Sequence, residues 1–220
     1  MPQATPDTTV PGTLWIVSAP SGGGKTSLTR ALVQRLNQRG IPAAISVSYT
    51  TRAPRAGEQD GVHYHFVDEP RFLAMVAAGE FLEHAEVFGR RYGTGLAETE
   101  RLLAAGTELL LDIDWQGARQ IKAQRPDAPG VFILPPSAAE LERRLHGRGQ
   151  DDPKVIAARM DAAHAEMTHY AEYDYLIVND TFDHALDDLQ AVVLTRRQQL
   201  AEQQRRYAAL IRELGLTGGP

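Results

Sequence analysis

The chain has 220 residues, 43% of them hydrophobic and 23% charged, enough to bury the core of one domain with insertions or of two small domains. A formal net charge of −5 argues against bulk electrostatic binding to nucleic acid or to an anionic membrane, while leaving room for a local basic cleft. Zero cysteines exclude disulfides and thiolate metal sites and are compatible with a reducing cytoplasm.

Residues 1–12 are rich in Pro and Thr, lack the basic start and apolar centre of a signal peptide, and read as a short disordered tail. Leu14 to Val17 is an apolar run of strand length, and Ser27 to Leu36 has helical spacing. Between them lies SAPSGGGKT, Ser18 to Thr26. Strand, glycine loop and helix form a phosphate-binding arrangement, because glycines let several N–H groups point inward and the helix start adds partial positive charge. Lys25 supplies a mobile cation, and the Thr26 hydroxyl suits Mg²⁺. The window Ala19 to Thr26 fits the P-loop pattern except that Ala19 replaces its first Gly; the alternative is a structural glycine turn.

Gly40 to Pro42 stops the first helix, and Ala44 to Thr50 reads as the next strand. Thr51 to Gly61 is a loop carrying Arg52 and Arg55. Val62 to Val67 alternates as a strand, Glu69 to Ala78 makes a short helix, and Phe81 to Phe88 alternates again. A small antiparallel insertion is therefore expected between about Ser46 and Gly95. The main pattern resumes with a helix from Leu96 to Ala105, a buried strand from Glu108 to Asp114, a helix from Trp115 to Ala123 and a strand from Gly130 to Leu134. Ser137 caps a helix running to His146, the Gly147-Arg148-Gly149 break follows, and a second helix runs from Pro153 to about Tyr170. Tyr175 to Asp180 is the last core strand, and residues 183–214 are mostly helical with a polar outer face. Repeated βα units imply an α/β fold, a parallel sheet with helices on both faces, with ligands beyond the carboxyl ends of its strands.

Asp112 and Asp114 leave the end of a buried strand. Either alone suits a cap or turn; beside a P-loop, Asp112 suits the metal and Asp114 the acceptor. Arg52 and Arg55 with Tyr64 suit a second phosphate, against the plain alternative of solvated arginines. Arg144, Arg148 and Arg159 form a set around the Gly-Arg-Gly break, where a movable flap could close over a transferring phosphoryl group; a solvated helix face is the competing reading. His63 and His65 have no third ligand at metal spacing.

Taken with the glycine loop, the segments Ser46 to Glu58, Phe81 to Gly89, Tyr92 to Thr94, Leu111 to Gly117, Gly147 to Gly149 and Ile177 to Asp180 resemble the guanylate kinases in their bacterial form, over about residues 13–214. In that family the Ala19 substitution is a familiar variant. The resemblance implies a P-loop NTPase fold: a five-stranded parallel core sheet flanked by helices (residues 13–45, 96–136 and 161–214), a mixed α/β GMP-binding insertion (46–95) and a helical lid (137–160). Residues 1–12 and 215–220 are then tails.

The same resemblance implies ATP-dependent phosphorylation of GMP, and of dGMP, in a cytoplasmic enzyme of purine nucleotide metabolism, with Mg²⁺ and without nucleic acid or membrane. Self-association through the C-terminal helix stays open. It assigns ATP to Ala19, Pro20, Ser21, Gly22, Gly23, Gly24, Lys25, Thr26, Ser27 and Asn179. GMP falls to Ser48, Arg52, Arg55, Tyr64, Glu83, Tyr92, Thr94 and Asp114, the metal to Thr26 and, through water, Asp112. Catalytic roles go to Lys25, Arg52, Arg144, Arg148 and Arg159. Two rivals are a non-catalytic guanylate-kinase-like interaction module, which typically loses these P-loop and phosphate-gripping residues, and a switch GTPase, which needs an Asn-Lys-x-Asp segment not found here.

Overall fold

A computed structural model describes residues 10–87, 89–146 and 153–216, with backbone alone for 153–155. Five parallel strands form the core sheet: β1 (Leu14–Ser18), β2 (Ala43–Ile45), β7 (Glu108–Asp112), β8 (Gly130–Leu134) and β9 (Tyr175–Val178), in the order β2-β7-β1-β8-β9. Alternation along β1 divides the apolar side chains between two faces. Trp15 and Val17 pack with Leu28, Leu32 and Leu36 of α1 (Lys25–Gln38) and with Leu189 and Val193 of α7 (Phe182–Arg197). Leu14 and Ile16 pack on the other face, where α3 (Leu96–Ala104) contributes Leu103 and α4 (Trp115–Gln124) contributes Ile121. The central β1 thus aims its carboxyl end, and the glycine loop, at the middle of the sheet's upper rim.

The second sheet consists of β3 (Tyr49–Thr50), β4 (His65–Phe66), β5 (Phe81–Val87) and β6 (Arg90–Gly95), in the order β4-β3-β6-β5, with α2 (Glu69–Ala77) beside it. This sheet departs from the sequence expectation in two ways. The strand expected over Ala44 to Thr50 is divided: the Ser46 amide still donates to the Leu110 carbonyl in the core sheet, after which Tyr49 and Thr50 pair with Gly93 and Tyr92. The insertion is also mixed rather than antiparallel, because residues 51–64 carry the chain back far enough for β3 and β4 to pair in parallel. Only His65 and Phe66 of the expected strand from Val62 are paired as one.

α5 (Ala138–His146) and α6 (Pro153–Met167) pack on each other through Leu141, Leu145 and Ala163, with Met160 and Met167 partly buried beside them. Ser137 Oγ accepts from the Glu140 amide at 3.1 Å and caps α5. A 3₁₀ turn, Thr168–Glu172, follows α6. Arg119 binds Glu172 at 2.6 Å, and His169 stacks on Trp115 with ring centroids 4.0 Å apart, so this turn is clamped to α4.

The expected C-terminal helix is broken into α7, α8 (Leu200–Arg206) and α9 (Ala208–Glu213). It is more than a solvated face. Glu108, fully buried at the start of β7, accepts from Trp15 Nε1 at 2.9 Å, from Arg197, and from Arg206 Nη2 at 3.3 Å. A buried carboxylate needs such partners, and two guanidinium groups plus an indole provide them. At the other end of the chain, Val10 is buried and the Gly12 amide donates to the Leu103 carbonyl, anchoring the chain before β1.

Candidate active site

The carboxyl ends of β1 and β7 and the inner face of the second sheet enclose a cleft of about 640 Å³. One end is the glycine loop. Gly22 (φ 88°) and Gly24 (φ 92°) adopt the left-handed conformation that turns the loop tightly, and the Gly23 amide closes on the Pro20 carbonyl at 2.8 Å. Gly24 begins α1 without a side-chain cap, so no side chain of its own competes for the helix's first amides. Asn179, 5% exposed, braces the loop from behind, donating through Nδ2 to the Gly23 carbonyl at 2.9 Å. A Cβ at Gly24 would stand 2.3 Å from that amide nitrogen, a second reason for glycine there.

Lys25 Nζ is 2.8 Å from Asp112 Oδ1 and 2.8 Å from the Ile113 carbonyl, while Thr26 Oγ1 donates to Asp112 Oδ2 at 2.9 Å. A hydroxyl and a carboxylate in contact beside a phosphate-binding loop form an oxygen donor set suited to Mg²⁺, which commonly takes only one or two protein ligands and keeps its waters. No cluster of three or more potential metal-binding His, Cys, Asp or Glu side chains occurs among the described residues.

The other end of the cleft is lined by Ser48, Arg52, Arg55, Tyr64, Glu83, Tyr92 and Asp114. Arg52 Nη2 binds Glu58 Oε1 at 2.8 Å, its Nη1 donates to the Ala53 carbonyl at 2.8 Å, and its guanidinium lies 5.3 Å from the centre of the Tyr64 ring. The Arg55 amide donates to the second Glu58 oxygen at 2.7 Å. Hydrogen bonding to Arg52 holds the Glu58 carboxyl down to about 2 and in turn raises Arg52. Burial raises the Tyr64 phenol, which keeps it a hydrogen-bond donor.

Glu83 is 4% exposed, and its Oε1 accepts from Thr94 Oγ1 at 2.6 Å. Desolvation pushes its carboxyl up to about 7; the Thr94 bond opposes the rise and the Asp114 charge adds to it. Gly117 makes the space for this carboxylate, since a Cβ there would meet Glu83 Oε2 at 2.6 Å. Asp114 is not part of β7, as alternation suggests. It caps α4, accepting from the Gly117 amide at 2.9 Å, so the capping role and a place in the cleft coexist in one side chain.

Four expected site residues do not line the cleft: Asn179, Thr94, Arg144 and Arg159. Thr94 stands behind Glu83, and Arg144 binds Glu140 at 2.8 Å and the Asn179 carbonyl at 3.0 Å. Arg159 sits on α6, and Arg148 lies outside the described residues. Three residues that sequence reasoning passes over do shape the site: Glu58, Gly117 and Glu166, the last reaching the glycine loop from α6. The Ala-Gly-Glu run that follows Arg55 within the arginine loop is a visible signal for Glu58. Gly117, at the third position of a capped helix, was a weaker one, and Glu166 gave none.

Residues 12–196 match the family model described as guanylate kinase. The guanylate kinase of Alkalilimnicola ehrlichii is 56% identical over 205 residues, covering 93% of this chain and 99% of that protein. That of Escherichia coli K12 is 55% identical over 203 residues, 92% of this chain and 97% of that protein. Among solved structures, the guanylate kinase of Anaplasma phagocytophilum superposes with a TM-score of 0.72 at 33% identity, covering 88% of this chain and 90% of that one. With a glycine loop and a guanidinium-lined pocket sharing one cleft, and with these likenesses spanning nearly its whole length, this chain belongs to the guanylate kinase family.

Proposed function

We propose that this chain transfers the γ-phosphoryl group of ATP to GMP, and to dGMP, giving ADP and the guanosine diphosphate. The observation that carries the reading is Glu83, a buried carboxylate bonded to a neutral hydroxyl and facing the same cleft as the glycine loop. Guanine presents N1–H and an exocyclic amine along one edge, two donors for one carboxylate. Adenine presents a lone pair at N1 and repels it. An acceptor left without donors costs about 1–3 kcal/mol, and more when it is charged, so a site built this way discriminates strongly.

In this reading the acceptor's phosphate lies against Arg52, Arg55, Tyr64 and Tyr92, and its base against Ser48, Glu83 and Asp114, with Thr94 fixing Glu83. The amides from Ala19 to Ser27 hold the donor phosphates. Lys25 turns from Asp112 and the Ile113 carbonyl onto the donor's terminal phosphates, a short swing for a long flexible side chain. Thr26 and, through water, Asp112 would hold Mg²⁺, which when bound draws charge from the phosphate oxygens. A GMP phosphate oxygen forms the new bond to the γ-phosphorus as the bond to the β–γ bridging oxygen breaks. Positioning and cations suffice for this, so no protein nucleophile takes part. Arg144, Arg148 and Arg159 belong to a lid that brings further cations over the moving group, and Asn179 acts on the donor through the loop it braces. The enzyme so described works on free nucleotides in the cytoplasm, and no described helix is long and apolar enough to cross a membrane.

Lys25→Ala and Arg52→Ala test the assignment in an assay coupled to ADP release with ATP and GMP. Each is expected to lower kcat/KM by about 10²-fold or more while retaining the wild-type circular dichroism spectrum. Turnover at the wild-type rate in either variant contradicts the roles given.

A further inference from the structure

One contact in the cleft joins two elements 145 residues apart: the Ser21 amide of the glycine loop donates to Glu166 Oε2 at 2.9 Å. Amides of this loop are the groups from which a phosphate oxygen accepts, and Glu166 lines the same cleft as Lys25, Asp112 and Asp114. A carboxylate and a phosphate oxygen have the same charge sign and acceptor chemistry, so both cannot use the Ser21 amide at once. Glu166 is not well placed for its own sake. Desolvation raises its carboxyl and the Asp114 charge adds to the rise, while the Ser21 bond and Lys25 oppose it.

The helix that carries Glu166 is positioned to pass the contact on. Met160, Ala163 and Met167 form the stripe of α6 that packs toward α5, whereas Arg159 and Glu166, seven residues apart, share an adjacent face. The α5 side of this hairpin also rests on the loop: a Cβ at Gly22 would meet Leu141 and Leu145 at 3.0 Å. The far end of α6 is held to α4 through the 3₁₀ turn by Arg119–Glu172 and Trp115–His169. Glu166 therefore lies beside the clamped end of α6, two turns along the same helix from Arg159.

We propose that Glu166 is a positioning residue that occupies the Ser21 amide in place of a donor phosphate, so that ATP must displace it and in doing so release α6 from its resting seat on the glycine loop. The inference rests on the reading of this loop as the ATP site. Removing the competing carboxylate makes ATP bind more tightly, an effect that a merely structural contact would not produce.

The test is calorimetric titration of the full chain with Mg·ATP and, separately, with GMP, for the wild type, Glu166→Gln and Glu166→Asp. Each variant is first checked for a wild-type unfolding midpoint. Glutamine keeps the shape but exchanges a charge-assisted hydrogen bond for a neutral one, and the expected gain in ATP affinity is about fivefold. Aspartate keeps the charge but stops a methylene short of the amide, so it too should tighten ATP binding. The KM for ATP falls in both variants while the KM and Kd for GMP stay within about twofold of wild type. Unchanged or weaker ATP binding in Glu166→Gln overturns the proposal, as does wild-type affinity in Glu166→Asp, which would make the charge rather than the contact responsible. Tighter ATP binding in a protein that does not bind GMP supports this inference while defeating the acceptor reading. GMP phosphorylation without any tightening defeats this inference alone.

Discussion

Replacing Glu83 by Gln separates the fold's interest from the site's. Burial disfavours the charge of the wild-type carboxyl and pushes it up to about 7 in the folded chain, from an ordinary carboxylate value of 4.5. An acid with a raised folded-state value contributes stability that is present below the unfolded value and is lost as pH rises through the folded one. Between about pH 5 and about pH 8.5 this one group therefore withdraws about 2.5 kcal/mol from the ligand-free protein. Glutamine does not titrate. The difference in unfolding free energy, Glu83→Gln minus wild type, should accordingly rise by about 2.5 kcal/mol across that interval, whatever fixed cost the buried amide brings. Urea unfolding at the two pH values measures it, and other titrating groups cancel in the comparison. The same ionisation prepares the site, since the charged form accepts both guanine donors, so wild-type GMP affinity should strengthen as pH rises toward 7 and this component should vanish in the variant. A Glu83→Gln stability difference that does not change with pH would refute the argument that Glu83 is held as a desolvated acid.

Gly117→Ala adds a methyl group 2.6 Å from Glu83 Oε2. Helix propensity favours alanine by about 1 kcal/mol, so the fold should not suffer, yet the carboxylate must shift. The KM for GMP is expected to rise about tenfold with that for ATP unchanged, and equal effects on both substrates would count against it. Glu58→Gln loosens Arg52, and the KM for GMP should rise several-fold; a lower KM would mean that Glu58 competes for Arg52 rather than aligning it. Hydrogen bonding to Arg52 holds the Glu58 carboxyl down to about 2, so its stabilising contribution is present above the ordinary carboxylate range and is lost progressively as pH falls from there through about 2. Glu58 consequently adds nothing to the pH dependence of GMP binding near neutrality.

Periodicity and turn residues carry most of the core architecture because each core strand is short, apolar and followed by a helix with its own stripe. They fail where a partner decides the outcome. Ala44 to Thr50 reads as one strand, yet its two ends pair in different sheets, and the handover at residues 46–48 leaves no mark on β propensity. Arg90 to Gly95 has arginines and glycines unsuited to a strand, and it becomes β6 through pairing with β5. Alternation runs on through Asp114, although the residue has already left β7 to cap α4. Arg197 and Arg206 look like solvent-facing charges until Glu108 is seen buried beneath them.

The site divides along the same line. The glycine loop, Asp112 and the arginine loop announce themselves locally, because phosphate binding demands particular residues at particular spacing. Glu83 and its neighbours were reached only by resemblance. Glu166 looks like one more polar position on an amphipathic helix, and only the three-dimensional approach to Ser21 distinguishes it. Arg144 has the composition of a phosphate-binding cation but is engaged by Glu140 and the Asn179 carbonyl, a commitment that no spacing rule reveals.

A buried carboxylate that selects a guanine monophosphate beside an ATP-binding loop should show itself in the choice of acceptor. Steady-state turnover of the unmodified protein with ATP and either GMP, IMP or AMP addresses it directly. GMP offers both donors, IMP keeps N1–H but lacks the amine, and AMP offers a lone pair at N1 instead. kcat/KM is expected to fall in the order GMP, IMP, AMP, with AMP at least about 10³-fold below GMP. Comparable turnover of AMP and GMP would contradict it.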